Sequence, residues 1–239
     1  MSTATTHTAL ITGATRGMGR AIAERMAQQG FHLFLTARNT EALETLRAQL
    51  EREHHGIIVR YYPCDLADEL QVCSLIKWIS ETVPTLDVLI NNAGIFRAVS
   101  ILNETDADFR DQLNLNYRAP HLICRAIGRL MRDQRRGHII NITSIASREP
   151  VPEAGSYTVT KYALMGLTHV LREELRGYGV HVTEIIPGST LTSSWEGTDI
   201  PAERFVQVGD IADAVVLCLQ VSNGANVDEI RIKPRQGNI

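Results

Sequence analysis

The sequence predicts an α/β protein built as a doubly wound, parallel β-sheet with helices on both faces. Two observations carry this expectation. Runs of strand length alternate with helix-period segments from one end of the 239-residue chain to the other. The strand runs are apolar throughout, as strands covered on both faces must be, and strict β/α alternation is the pattern of a parallel sheet.

The elements follow in order. Thr8–Thr12 (TALIT) is a short apolar run stopped by Gly13. Residues 20–29 read as a helix closed by Gly30, because a helix end often needs a left-handed residue and glycine supplies it without strain. Residues 31–37 form the next strand, and 41–53 a helix with Leu43, Leu46 and Leu50 on one face. Strand 57–62, helix 68–82 and strand 87–91 come next, then a long helix over 106–135 and a strand over 138–143. Helix 155–177, strand 180–186, helix 210–219 and strand 229–233 complete the chain. No linker, repeat or shift of composition divides it, so residues 1–239 are expected to form a single domain with a short lid at about 189–208.

Composition excludes several classes of function. With 44% hydrophobic residues the chain can bury a core, and 17 glycines and 8 prolines are too few for collagen or low-complexity sequence. A net charge of −3 offers no basic excess for nucleic acid or an acidic membrane. Cys64, Cys73, Cys124 and Cys218 lie far apart without a CxxC pair, which reads as reduced thiols. The histidines are scattered, and His54-His55 has no third ligand at metal spacing. The polar start MSTATTHT lacks the apolar core of a signal peptide, and no run is long enough to span a bilayer. A soluble, cytoplasmic protein without metal, membrane or nucleic-acid partners is expected.

The first strand ends in Thr12-Gly13-Ala14-Thr15-Arg16-Gly17-Met18-Gly19 and runs directly into a helix. Glycines at 13, 17 and 19 permit a tight turn and let backbone N–H groups approach a pyrophosphate at the helix N-terminus. The spacing GxxxGxG differs from the general GxGxxG fingerprint. The second strand ends in Ala37-Arg38-Asn39, where an acid would bind a ribose 2′-hydroxyl and an arginine suits a 2′-phosphate. Arg16, inside the turn, could clamp the same phosphate. NADP(H) is therefore favoured over NAD(H), against the alternative of two solvated surface arginines.

Residues 12–19, Asn91-Asn92-Ala93-Gly94 and Tyr157-Thr158-Val159-Thr160-Lys161 resemble the motifs of the short-chain dehydrogenase/reductase family, in the family's order. The resemblance runs from Thr8 to about Pro234. It implies a Rossmann fold with a seven-stranded parallel sheet. It also implies that Asp65 and Leu66 contact adenine, that Asn92, Ala93 and Gly94 wall the cofactor pocket, and that Pro187, Gly188, Thr190 and Thr192 contact the nicotinamide side.

Tyr157 and Lys161 are four apart on a helix, hence on one face. An ammonium beside a phenol favours the phenolate and would bring its pKa toward the working range. Leu164, Leu167, Leu171 and Leu175 form a buried stripe on the same helix. Ser144 stands at the carboxyl end of a strand, where the site of such a sheet opens, and the family's serine occupies its spacing from Tyr157. Phe109, Leu113, Pro120, Ile123, Ile127 and Leu130 trace an apolar stripe in which Asn116 is the polar exception. Pro120 has no N–H for the Asn116 carbonyl, so a kink is expected there. By resemblance Asn116 holds a water linking the lysine to solvent; the bland alternative is an asparagine satisfying local backbone.

The resemblance thus implies an NADPH-dependent reductase of a ketone, aldehyde or diketone. Tyr157 donates the proton, Ser144 polarises the carbonyl oxygen, and Lys161 binds the nicotinamide ribose. Alternatives are a 3-oxoacyl-thioester reductase, for which Arg132, Arg135 and Arg136 could greet an acidic carrier, and a non-catalytic NADP(H) sensor. Substrate is expected to meet a mostly apolar wall, Ile95, Phe96, Pro150, Val151, Leu191 and Trp195, with Arg97 and Arg148 as two cations that an anionic or polar-tipped carbonyl substrate would use, against the favoured reading of both as solvent-facing. A homotetramer or dimer is expected by resemblance.

Overall fold

The computed structural model describes residues 7–222 and 224–239. Seven parallel strands, β1 (Thr8–Thr12), β2 (His32–Ala37), β3 (Val59–Pro63), β4 (Val88–Asn91), β5 (Gly137–Ile142), β6 (Val180–Pro187) and β7 (Glu229–Ile232), form one sheet in the order β3-β2-β1-β4-β5-β6-β7. The order reverses between β1 and β4, which places the crevice of a doubly wound sheet at their carboxyl ends.

Strand residues alternate between two cores. Ala9 and Ile11 of β1, Leu33 and Leu35 of β2, and Ile140 and Ile142 of β5 pack under α1 (Gly17–Gln28), α2 (Thr40–Glu53) and α7 (Val208–Gln220). Leu10, Phe34 and Ile139 point the other way, onto α3 (Glu69–Thr82), α5 (Ala119–Gln134) and α6 (Gly155–Leu175). Period-two side chains that are apolar on both faces explain why the strands read as continuous apolar runs. No helix among the described residues is long and apolar enough to cross a membrane.

The helices depart from expectation in two places. α1 begins at Gly17, so the last two glycines of the turn lie in its first turn rather than ahead of it. The long helix expected over 106–135 is interrupted. α4 (Asp106–Leu113) passes into a π-helical turn, Asn114–Arg118, and only then into α5. The Ala119 amide bonds the Asn114 carbonyl five residues back, directly before Pro120. The expected kink therefore takes the form of a widened turn. An extra residue rotates everything upstream by about 100°, so Gln112 rather than Leu113 faces inward and Phe109, expected on the buried stripe, is 42% exposed.

β5 and β6 carry a pair of facing imidazole rings, His138 buried and His181 partly exposed. His138 pairs in register with His181, and their rings lie 5.5 Å apart. The His138 Nε2 meets Thr183 Oγ1 at 2.8 Å, and burial, aided by His181, pushes its pKa down from 6.5 to about 3. Below pH 6.5 the unfolded chain takes up a proton that the fold refuses, so stability is complete above that value and falls as pH drops toward 3. The largest slope is about 1.4 kcal/mol per pH unit. Replacing His138 with Gln is expected to flatten the stability profile between about pH 4 and 6, as read from denaturant midpoints.

Candidate active site

The β1–α1 turn is shaped by glycine. Gly13 and Gly17 take φ of +66° and +53°, the left-handed region that side chains resist. A Cβ on Gly19 would stand 2.1 Å from the Gly13 carbonyl oxygen and 2.4 Å from Asn92 Nδ2, so only glycine lets α1 sit this close. Asn92 Nδ2 donates to the Thr12 carbonyl at 2.9 Å, while Thr12 Oγ1 accepts from the Asn92 and Ala93 amides at 3.0 Å each. The two strands at the crevice are thereby tied together.

α1 has neither a side-chain cap nor an acid in its first turn, whereas α2, α3 and α4 are capped by Asn39, Asp68 and Thr105. Uncapped N–H groups at the positive end of a helix fit an anionic ligand such as a pyrophosphate. Thr15 and Met18 flank this end half-buried, and Arg16 and Arg38 are exposed, with no carboxylate partner among the described residues. The donor set at the crevice therefore fits a phosphorylated dinucleotide. Two expected contacts are otherwise engaged. Asn39 Oδ1 accepts the Ala42 amide at 2.9 Å, and the Leu66 side chain is packed into the core. Asp65 accepts the Ala67 amide at 3.0 Å and shapes its own turn.

Past β4, β5 and β6 the chain opens into a cleft of about 420 Å³. Asn92, Gly94, Ser144, Tyr157, Lys161, Pro187, Gly188, Thr190 and Thr192 all line it, together with Met18. Thr190 donates to the Gly188 carbonyl at 3.0 Å, and Thr192 lies beside Gly17, 3.5 Å from where a Cβ would be. The cleft is thus continuous with the glycine turn.

Tyr157 and Lys161 come from the start of α6. The Lys161 Nζ sits 5.6 Å from the Tyr157 ring centroid and donates to the Ile142 carbonyl at 3.2 Å. Burial pushes the lysine down to about 8, against the pull of the Glu184 carboxylate. Burial also raises the Tyr157 phenol, opposed by a hydrogen bond with Ser144. Burial thus moves the phenol in the opposite direction to the lowering expected from the ammonium, and the lysine is turned toward a backbone carbonyl. Phe96 covers the phenol ring edge-on at 5.0 Å.

Asn116 is fully buried within the π turn. Its Oδ1 accepts the Ile95 amide at 2.8 Å, and its Nδ2 donates to the Ile95 carbonyl at 2.9 Å and to Thr160 Oγ1 at 3.2 Å. The side chain therefore clamps the Ile95 backbone and the Thr160 hydroxyl.

The substrate wall differs from expectation in its charges. Ile95, Phe96, Pro150, Val151 and Trp195 line the cleft; Arg97, Arg148 and Leu191 do not. Arg97 pairs with Asp108 at 3.2 Å and Asp111 at 3.5 Å, and Arg148 with Glu184 at 2.7 Å and Glu229 at 2.9 Å. Sequence reasoning missed Glu149, Asn238 and Ile239, which also line the cleft. The tail is held by Ser189, whose hydroxyl accepts the Ile239 amide at 2.9 Å. Its near approach depends on Gly188, where a Cβ would stand 2.4 Å from Asn238 Oδ1.

Comparison with known proteins agrees with this geometry. The family model described as short chain dehydrogenase matches residues 7–200. The chain belongs to the short-chain dehydrogenase/reductase family. An uncharacterized oxidoreductase of Staphylococcus aureus is 32% identical over 237 residues, covering 98% of this chain and all of that protein. A metagenomic short-chain oxidoreductase, solved in complex with NADP, superimposes with a TM-score of 0.84 at 30% identity, over 95% of this chain and 96% of the other. L-sorbose reductase from Gluconobacter frateurii, solved with NADPH and L-sorbose, gives 0.87 at 26% identity over 95% of each chain.

The close packing at Gly19 has a measurable consequence. Gly19→Ala is expected to lower stability by roughly 1–3 kcal/mol, because the Cβ meets backbone that cannot yield. Gly166→Ala, in α6 with open space around it, is expected to be neutral or slightly stabilising in the same denaturation experiment.

Proposed function

We propose that this short-chain dehydrogenase/reductase is an NADP(H)-dependent reductase of a neutral carbonyl compound, a ketone, aldehyde or diketone, with Tyr157 as proton donor. The observation that carries the reading is the meeting of Ser144, Tyr157 and Lys161 in one cleft, continuous with a glycine-lined helix N-terminus. NADP(H) is favoured because Arg16 and Arg38 are exposed and free to meet a 2′-phosphate, and because structural relatives were solved with NADP and NADPH.

The cofactor, when bound, supplies the hydride. Tyr157 holds its proton at neutral pH, as any phenol does, and burial raises it further, which leaves it in the state a proton donor needs. The Ser144 hydroxyl, beside the phenol, orients the carbonyl oxygen. Lys161, at about 8, is mostly ammonium at pH 7 and can bind the nicotinamide ribose. Asn116 holds the Gly94-Ile95 segment against Lys161, and its carbonyl, which Pro120 cannot bond, is placed to hold a water that returns protons.

A neutral substrate follows from the wall of the cleft. Ile95, Phe96, Val151 and Trp195 present apolar surface, and the two nearby arginines are consumed by carboxylates. The carrier-protein reading loses its motive as well. Arg132 pairs with Asp133, Arg136 with Asp87, and Arg135 donates to the Gly177 carbonyl. Exposed Phe109 on α4 and Val159, Tyr162 and Val170 on α6 support a homo-oligomer.

The direct experiment is NADPH oxidation by the purified protein over a panel of neutral ketones, aldehydes and diketones beside matched keto acids. Turnover of the neutral members is expected; NADPH binding with no turnover of any carbonyl would overturn the reading in favour of a sensor. Tyr157→Phe is expected to lower kcat by about a hundredfold or more with NADPH affinity retained, and full activity would remove Tyr157 as the donor. Arg38→Asp is expected to weaken NADPH about 10- to 100-fold and NADH far less; equal effects in parallel titrations would remove the 2′-phosphate assignment.

A further inference from the structure

Glu184 lies in the middle of β6 and is completely shielded from solvent, yet it carries a carboxylate that the proposed reaction does not use. Such a group persists in a dry interior only when its oxygens are fully engaged. Its Oε1 accepts from Thr143 Oγ1 at 2.7 Å, Ser147 Oγ at 3.3 Å and Arg148 Nη1 at 3.3 Å. Its Oε2 accepts from Arg148 Nη2 at 2.7 Å. Three of its partners belong to the segment 143–148, which leaves β5 and carries Ser144. Thr143 directly precedes the serine, and the single Ser147 hydroxyl proton is shared between Oε1 and the nearer Ser144 carbonyl at 2.7 Å. Ser144 is therefore bracketed by groups anchored on one carboxylate.

The same carboxylate lies close in register to the backbone that Lys161 grips. The Nζ donates to the carbonyl of Ile142, the residue before Thr143, and Ile142 pairs in register with Ile185, the residue after Glu184. The charged and titratable groups around Glu184 come from every neighbouring element. α6 supplies Lys161 and His169, whose Nε2 is 3.4 Å from Oε2; the 143–148 segment supplies Arg148; β7 supplies Glu229. On β5 its register partner is the neutral Asn141. His169, Glu184 and Glu229 converge as a metal site would, but Arg148 already stands between the two carboxylates. Two carboxylates against one guanidinium leave a surplus negative charge, and Lys161 is the only buried lysine or arginine among the described residues.

We propose that Glu184 is a positioning residue of this active site, holding the Ser144 segment in place and supplying the counter-charge of Lys161 without touching substrate or cofactor. The positioning half rests on the functional reading above; the charge half does not. The attraction of Glu184 opposes the burial that lowers Lys161.

The test exploits the lysine content of the chain, which is Lys77, Lys161 and Lys233 alone. Lysine labelled with 13C at Cε therefore gives three NMR signals, assigned through Lys161→Arg. In Glu184→Gln the Lys161 midpoint is expected to fall by about one pH unit or more, while Lys77 and Lys233 hold still. Arg148→Gln removes the competing cation and is expected to move it upward, so the pair is informative even where one variant folds poorly. Thr143→Val cuts one anchor and keeps the charge. It is expected to leave the midpoint in place and to lower kcat about tenfold, with NADPH affinity unchanged. Coincident Lys161 titrations in wild type, Glu184→Gln and Arg148→Gln would overturn the charge role, and wild-type kcat in Thr143→Val the positioning role. A wild-type protein that reduces no carbonyl would overturn the functional reading and with it the positioning half, while the titrations still decide the charge half.

Discussion

Because all seven strands run parallel, every carboxyl end emerges at one edge of the sheet, and the interiors of the five central strands, β2, β1, β4, β5 and β6, are covered on both faces. Polar side chains are costly between two helical layers unless fully bonded. Chemistry is therefore confined to the residues just past the strand ends: Gly13 after β1, Arg38 after β2, Asn92 and Gly94 after β4, Ser144 after β5, Gly188 after β6. Tyr157 and Lys161 reach the same edge from α6, and Asn116 from the π turn. The reversal of strand order between β1 and β4 leaves room there, since successive connections depart to opposite faces.

Buried polar groups around this edge act as struts. Asn91 Nδ2 donates to Asn141 Oδ1 at 2.8 Å, and Asn141 Nδ2 donates to Thr168 Oγ1 at 2.8 Å, so β4, β5 and α6 are joined by one chain of bonds. Asn92 ties β4 to β1, Asn116 ties the π turn to Ile95, and Glu184 ties β6 to the segment after β5. Each bonds partners far away in sequence, although the amide oxygens of Asn91 and Asn92 are buried without a partner. Bonds of this kind fix relative positions more sharply than apolar packing, because they are lost altogether when an element slides.

This also separates what was legible in the sequence from what was not. Apolar continuity revealed the strands, because burial on both faces leaves a mark residue by residue. The spacing of Tyr157, Lys161, Ser144 and the glycines identified positions that the structure gathers into one crevice. Pro120 marked where the long helix must yield. It did not reveal that the helix would insert a residue rather than bend, and that choice moved Phe109 outward and Gln112 inward. Arg148 read as a possible substrate cation because its partners lie 36 and 81 residues away. Glu184 sits in the unremarkable stretch VTEII, and Ile239 acquires its place only through Ser189 and Gly188. Long-range pairing has no local periodicity, so sequence patterns could not carry it.

The balance between Tyr157 and Lys161 shows why the dry cleft suits the proposed direction of reaction. In water a lysine ammonium holds its proton slightly more tightly than a phenol. Here one cause acts on both groups with opposite sign: exclusion of water disfavours the phenolate, raising Tyr157, and disfavours the ammonium, lowering Lys161 to about 8. The order of proton affinity is thereby reversed. A phenolate left after Tyr157 has given its proton to a substrate oxygen is a stronger base than the Lys161 amine, so the ammonium, supplied through solvent, can restore it downhill. In the role proposed above Glu184 limits this reversal, because its negative charge opposes the burial that lowers Lys161.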